Sequence, residues 1–257
     1  MIKAIFLDID GTMVSFKTHR VPENTKAVLR EARSKGVKIF VATGRHRSDI
    51  NNLDDLEFDG YITLNGGYCF VGDEVIFKKH IPREDVAAFI RYGEEVEPVP
   101  CFFVEADRVS ADMENEYMAN MMKLVKFEPR PIVPAREFIN REVFQLTAFF
   151  PPEREDKIMK HLPGCTATRW YPTFTDIVAR GIDKSAGMER TGAYFGLNTG
   201  EMMAIGDGGN DISMIKYAGT GVAMGNSNED VKLAADYVTA SVDDDGVGNA
   251  LRHFGVV

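Results

Sequence analysis

Short apolar runs alternate along the chain with stretches of helical periodicity, the pattern of a parallel sheet covered by helices on both faces. Residues 2–7 (IKAIFL) read as a buried strand and residues 37–42 (VKIFVA) as the next. A helix is expected between them over 22–35. Val21, Val28, Leu29 and Ala32 give its apolar stripe, Pro22 suits its first turn and Gly36 its end. A shorter helix is expected over 46–53 and a strand at 61–64. The same rhythm returns after residue 181, with strands at 202–205, 221–224 and 237–238 and helices over 210–218 and 229–235.

The middle of the chain is patterned differently. A helix over 83–95, a strand at 101–105 and a helix over 114–124 lead into a Pro-interrupted stretch at 128–134. A strand at 142–149, a helix after Pro152 and two adjacent β runs at 166–171 and 174–179 complete the block. About 100 residues suffice for a small core of their own. The expected fold class is therefore α/β: a doubly wound, Rossmann-like parallel sheet from 1–82 and 181–257, with an α/β cap domain inserted over 83–180. Pro82 and Gly181 are the expected hinges.

Composition narrows the partners. Hydrophobic residues make up 44% of the 257 and charged ones 27%, which fits a globular chain rather than a disordered one. The net charge of −9 gives no footprint for a nucleic-acid backbone or an anionic membrane, so a phosphorylated ligand has to be held by a local arrangement. No run reaches the ~18 consecutive apolar residues of a membrane span. The opening MIKAIFLDIDG meets carboxylates within eight residues, unlike a secretory signal. Cys69, Cys101 and Cys165 are few and far apart, as are the five histidines, and match neither a disulfide framework nor a zinc site. The expectation is a reduced, cytoplasmic enzyme.

Four polar clusters stand just after apolar runs or open helices: Asp8-Ile9-Asp10-Gly11-Thr12, Thr43-Gly44-Arg45, Asp183-Lys184, and Gly206-Asp207-Gly208-Gly209-Asn210-Asp211. Ligands of doubly wound sheets bind beyond the carboxyl ends of the strands, so these clusters should converge. The first is the most specific, expected by chance in roughly one chain of several hundred. Alternation turns Asp8 and Asp10 to one side, and Gly11 allows a sharp turn. A calcium loop is the rival reading, but Thr12 and Met13 break its ligand spacing. In the fourth cluster Asn210 reads equally as a helix cap. All-oxygen ligands with a phosphate partner favour Mg²⁺. Thr43 and Gly44 offer a hydroxyl and free amides for a phosphate oxygen. Lys184, in a first helical turn, opposes the dipole unless an anion sits nearby; the bland alternative is a surface lysine. The Asp243-Asp244-Asp245 run reads as a solvated loop.

These clusters, in this order, resemble the four motifs of the haloacid dehalogenase superfamily of phosphoryl-transfer enzymes. The second aspartate is its phosphatase and phosphomutase pattern, and the place of the insertion resembles the subgroup with a type IIB cap, seen in Cof-like sugar-phosphate phosphatases. The runs ITLNGG (62–67) and GVAMGNS (221–227) strengthen the likeness. The resemblance implies Asp8 as nucleophile and Asp10 as general acid and base. It implies Mg²⁺ on Asp8, Asp207 and the Asp10 carbonyl with Asp211 in support, and Thr43, Gly44, Arg45, Lys184 and Asn210 around the phosphoryl group. Arg45 is expected to project toward the cap, and Arg169, Trp170, Tyr171 and Asp176 are candidates for reading a sugar. The implied activity is hydrolysis of small phosphorylated metabolites, foremost hexose phosphates. A phosphomutase, a phosphatase of larger sugars and a silent binding protein are the competing readings.

Overall fold

The computed structural model describes all 257 residues, the side chain of Trp170 apart. Strands β1 (Ala4–Leu7), β2 (Lys38–Ala42), β3 (Gly60–Thr63), β4 (Tyr68–Val71) and β5 (Glu74–Lys78) come first, with helix α1 (Glu23–Ser34) after β1. The middle block holds α2 (Arg83–Glu95), β6 (Cys101–Val104), β7 (Val109–Ala111), α3 (Glu116–Val125), β8 (Gln145–Ala148), α4 (Glu155–Met159), β9 (Cys165–Tyr171) and β10 (Phe174–Ala179). Then follow α5 (Lys184–Phe195), β11 (Met202–Gly206), α6 (Ile212–Tyr217), β12 (Thr220–Ala223), α7 (Glu229–Ala234), β13 (Tyr237–Val238) and α8 (Gly246–His253).

Two sheets result. The larger has the order β13-β12-β11-β1-β2-β3-β4-β5, parallel from β13 to β3 and closed by an antiparallel hairpin. β1 is buried on both faces, which is why it reads as an unbroken apolar run. Ile5 and Leu7 pack with Val28, Leu29, Val247 and Leu251 of α1 and α8. Ala4 and Phe6 face the opposite layer, with Met188 of α5 and Met214 of α6. The smaller sheet, β7-β6-β8-β10-β9, is antiparallel throughout. Phe103, Leu146 and Ile177 pack on α2 and α4, while Phe102, Val104 and Phe174 turn toward α3, Leu64 of the β3–β4 turn, and Tyr68 and Phe70 of β4. The α/β architecture with an added cap is the one expected. No helix of the described residues is long and apolar enough to cross a membrane, and all three cysteines are free and buried.

The expected helix over 46–53 is a single 3-10 turn, Arg47–Asp49. The His46 ring accepts from the Ser48 amide at its start, and Arg45 Nη1 donates to the Asp49 carbonyl, taking the place of the next helical amide. Four elements were not anticipated: β4 and β5, which form a hairpin, and β7 and α8. A Gly72-Asp73 turn between two apolar runs does signal the hairpin. β7 is too short to show a period, and α8 starts on the poor helix formers Gly246 and Gly248.

Candidate active site

The carboxyl ends of four neighbouring strands carry the polar clusters: Asp8 follows β1, Thr43 β2, Asn65 lies just past β3, and Asp207 follows β11. Lys184 opens α5, where the Asp183 side chain accepts from the Ala186 amide and fixes the first turn. The lysine is fully buried, against the surface alternative, and its Nζ donates at 2.5 Å both to Asp8 Oδ1 and to Asp211 Oδ1. Asp211 Oδ2 accepts from the amides of Asp207 and Gly208 at 2.9 and 2.8 Å. The Thr12 hydroxyl donates to Asp207 Oδ1 at 2.9 Å, and Asn226 Nδ2 donates to the Gly11 carbonyl and to Asp207 Oδ2. Gly11, at φ +84°, has no Cβ to collide with Asp207, so the two clusters close on one another.

Burial dominates the electrostatics here. It pushes the Asp8 carboxyl up to about 7, Lys184 pulling the other way, and lifts Asp207 well above the usual carboxylate range with help from Asp8 and Asp211. Burial also opposes the charge of Lys184, but Asp211 and Asp8 outweigh it and hold the ammonium above its ordinary value. Oxygens of Asp8, Asp207 and Asp211 lie within 4.8 Å of one another. Three carboxylates against one ammonium leave the site short of positive charge, and the donors are all oxygen. Both features fit a hard divalent cation such as Mg²⁺.

Asp10 sits at the edge of the cleft, and Arg45 grips it with a two-point fork, Nε to Oδ2 at 2.7 Å and Nη2 to Oδ1 at 2.6 Å. Its Nη1 holds the Asp49 carbonyl and Asn52 Oδ1. Arg45 does face the cap, its guanidinium standing over the Phe127 ring at 5.4 Å, while its hydrogen bonds go to Asp10 and the 46–52 loop. Thr43 is buried, its Oγ1 accepting from the Arg45 amide. The Gly44 carbonyl accepts from Gln145 Nε2 of the cap at 3.3 Å.

The cap closes a cleft of about 310 Å³ over these groups. Asp176 lines it, its carboxylate accepting from Thr147 Oγ1 at 2.7 Å, Gln145 Nε2 at 3.0 Å and Asn65 Nδ2 at 3.1 Å. Arg169 has a structural part as well. It lines the cleft, but it also donates to Glu155 and to the carbonyls of Phe150, Pro172 and Phe174, so its guanidinium fastens the β9–β10 hairpin. Tyr171 lines the cleft and stacks on Phe174; the Trp170 side chain lies outside the described residues. Past Asp176 the wall turns apolar, with Phe102, Met121, Phe127 and Phe174. Asn65, Asn226, Gln145 and Thr147 were not singled out from the sequence. The first two lie in runs noted only for their likeness to a family. The last two are alternate polar positions in a buried strand, a readable signal.

The haloacid dehalogenase-like hydrolase family matches residues 5–251. The sugar phosphatase BT4131, of subclass IIB, is 47% identical, with a TM-score of 0.95 and coverage of 99% of this chain and 100% of its own. BT1666 from Bacteroides thetaiotaomicron, a phosphatase of the same superfamily, is 39% identical at a TM-score of 0.92, covering 100% and 96%. The 5-amino-6-(5-phospho-D-ribitylamino)uracil phosphatase YcsE of Bacillus subtilis is 30% identical over 257 residues, 98% of this chain and 96% of that one. With this fold, an inserted cap and the acidic cluster at the carboxyl end of the parallel sheet, the chain belongs to the haloacid dehalogenase-like hydrolases and is a phosphatase of that superfamily.

Proposed function

We propose that the protein is a Mg²⁺-dependent phosphatase of small phosphorylated metabolites, foremost hexose phosphates, working through an aspartyl-phosphate on Asp8. One observation carries this reading: a fully buried Lys184 bonded at 2.5 Å to Asp8, beside Asp207 and Asp211. Such a cluster suits the meeting of an anionic nucleophile with an anionic phosphate. Asp8, Asp207 and the Asp10 carbonyl would hold Mg²⁺, with Asp211 in support; bound there, the ion would neutralise charge on the phosphoryl oxygens.

The chain's own groups supply the rest. A carboxylate oxygen of Asp8 attacks phosphorus, the ester P–O bond breaks, and the leaving alcohol takes a proton from Asp10. A water then attacks the phosphorus of the aspartyl-phosphate, Asp10 takes its proton, and phosphate and the Asp8 carboxylate are released. Thr43, Lys184 and Asn210, with the Gly44 backbone, hold the phosphoryl oxygens, and Arg45 orients Asp10. Residues 83–180 act as the cap that selects substrate, moving about Pro82 and Gly181.

Gln145, Thr147 and Asp176 give the cleft a polar zone suited to a polyol. The apolar wall beyond them favours a second reading, a phosphorylated polyol that also carries a flat ring, the kind of substrate named for YcsE. A panel of phosphorylated hexoses, pentoses, nucleotides and pyridoxal phosphate, assayed with and without Mg²⁺, separates them. Highest kcat/KM on a hexose phosphate, lost without Mg²⁺, supports the first reading, and preference for ring-bearing esters the second. Turnover indifferent to Mg²⁺ contradicts both.

A further inference from the structure

The loop after β3 contains three successive residues with left-handed backbone, Leu64, Asn65 and Gly66, at φ 53°, 52° and 98°. Leucine at such an angle persists only where the surroundings hold it. Here the bend aims one amide. Asn65, 2% exposed, donates through Nδ2 to Asp176 Oδ2 and to Gln145 Oε1, each at 3.1 Å and each in the cap. Its Oδ1 accepts from Asn210 Nδ2 at 3.0 Å, in the core. Both amide hydrogens of Asn65 thus go to the cap and its oxygen to Asn210.

We propose that Asn65 is a positioning residue that makes the grip of Asn210 on the phosphoryl group conditional on a seated cap. The inference rests on Asn210 being a phosphoryl-holding group. Asn65 Oδ1 takes one N–H of Asn210 and so fixes the plane of that amide, leaving the other N–H for an anion. The orientation of Asn65 is in turn set by its two cap acceptors. With the cap away, the two amides can flip together and keep a hydrogen bond between them, which would turn the Asn210 oxygen, in place of its N–H, toward the anion. A seated cap removes the ambiguity. By linkage, an anion held at Asn210 must favour the seated cap to the same degree.

The test reads hydrogen exchange of the cap amides in 145–148 and 174–179, with and without saturating inorganic phosphate. In the wild-type protein phosphate should slow their exchange by about tenfold or more. Asn65→Gly takes the left-handed backbone without strain, so it removes the side chain and keeps the loop. It should still bind phosphate, more weakly, with cap exchange unchanged within about twofold. Asn65→Asp keeps the shape but sets a carboxylate against Asp176, and should uncouple the cap as well. Adding Asp176→Asn to it restores a donor–acceptor pair and should restore the coupling, which a merely structural role for Asn65 would not do. Phosphate protection that is undiminished in Asn65→Gly, or absent in the Asn65→Asp/Asp176→Asn double variant, overturns the inference alone. Failure of phosphate to bind the wild-type protein removes the reading of Asn210, and the inference with it.

Discussion

Asp8 is a carboxyl that burial pushes up to about 7, with Lys184 on one oxygen. The sign has two consequences. An acid whose folded value is raised disfavours its charged form in the native state, so at pH 8 the Asp8 charge costs stability. Asp8→Asn, a neutral isostere, should lower turnover by at least ~10³-fold, since an amide does not attack phosphorus, and leave the melting temperature unchanged or higher. A variant that keeps more than a few per cent of activity contradicts the nucleophile assignment. The second consequence concerns the metal. In the proposed reading Mg²⁺ needs the Asp8 carboxylate, so below pH 7 it would have to displace a proton, and its affinity should fall with pH toward a limit of about tenfold per unit. Calorimetric titration between pH 5.5 and 7 measures this, and a flat affinity would contradict Asp8 as a ligand. These residues were legible in the sequence because glycines and carboxylates cluster after buried strands. Asn65 was not, because its contacts reach 80, 111 and 145 positions along the chain and depend on a left-handed bend in the strand-end loop.

Elements read well from sequence where an apolar period was long, and poorly where side chains replaced backbone pairing. α2 and β10 fall where the pattern places them, since the stripe of Val86, Phe89 and Ile90 and the run of β10 are each buried against a second layer. The 46–53 segment is rich in Ser, Asp and Asn, which favour caps and turns, and Arg45 occupies the carbonyl that a further helical turn needs. The β9–β10 hairpin shows the same replacement at Arg169, whose donors satisfy the carbonyls of Phe150, Pro172 and Phe174. Arg169→Ala should therefore act on stability. Loss of these charged bonds costs about 2–3 kcal/mol, a fall of roughly 5–10 °C in melting temperature. The ratio of kcat/KM for a hexose phosphate to that for acetyl phosphate should stay within about twofold. A selective loss on the hexose phosphate with stability intact would make Arg169, which lines the cleft, a substrate contact instead.

At the scale of the molecule, an acidic protein of net charge −9 sets one buried ammonium beside one acidic cluster, where the proposed reading places the anionic ester. The cap adds an ion pair of its own across the cleft, Arg130 to Asp49 at 2.6 Å, while the guanidinium groups of Arg45 and Arg130 stand 5.4 and 5.3 Å from the centre of the Phe127 ring. Arg130→Ala should loosen this seat and raise KM for a hexose phosphate several-fold, with acetyl phosphate hydrolysis little changed. Equal losses on both substrates would place Arg130 in the chemistry instead. The division of labour between core and cap stands on the covalent step at Asp8, and trapping that species is the most direct measurement. In Asp10→Asn the leaving group p-nitrophenolate needs little acid assistance, while water lacks its base, so the phospho-enzyme should form and persist. Rapid acid quench of this variant with radiolabelled p-nitrophenyl phosphate, followed by peptide mapping, should find close to one phosphoryl group per chain on Asp8. Turnover by the wild-type enzyme with no label trapped in the variant, or label on any other residue, would contradict the account.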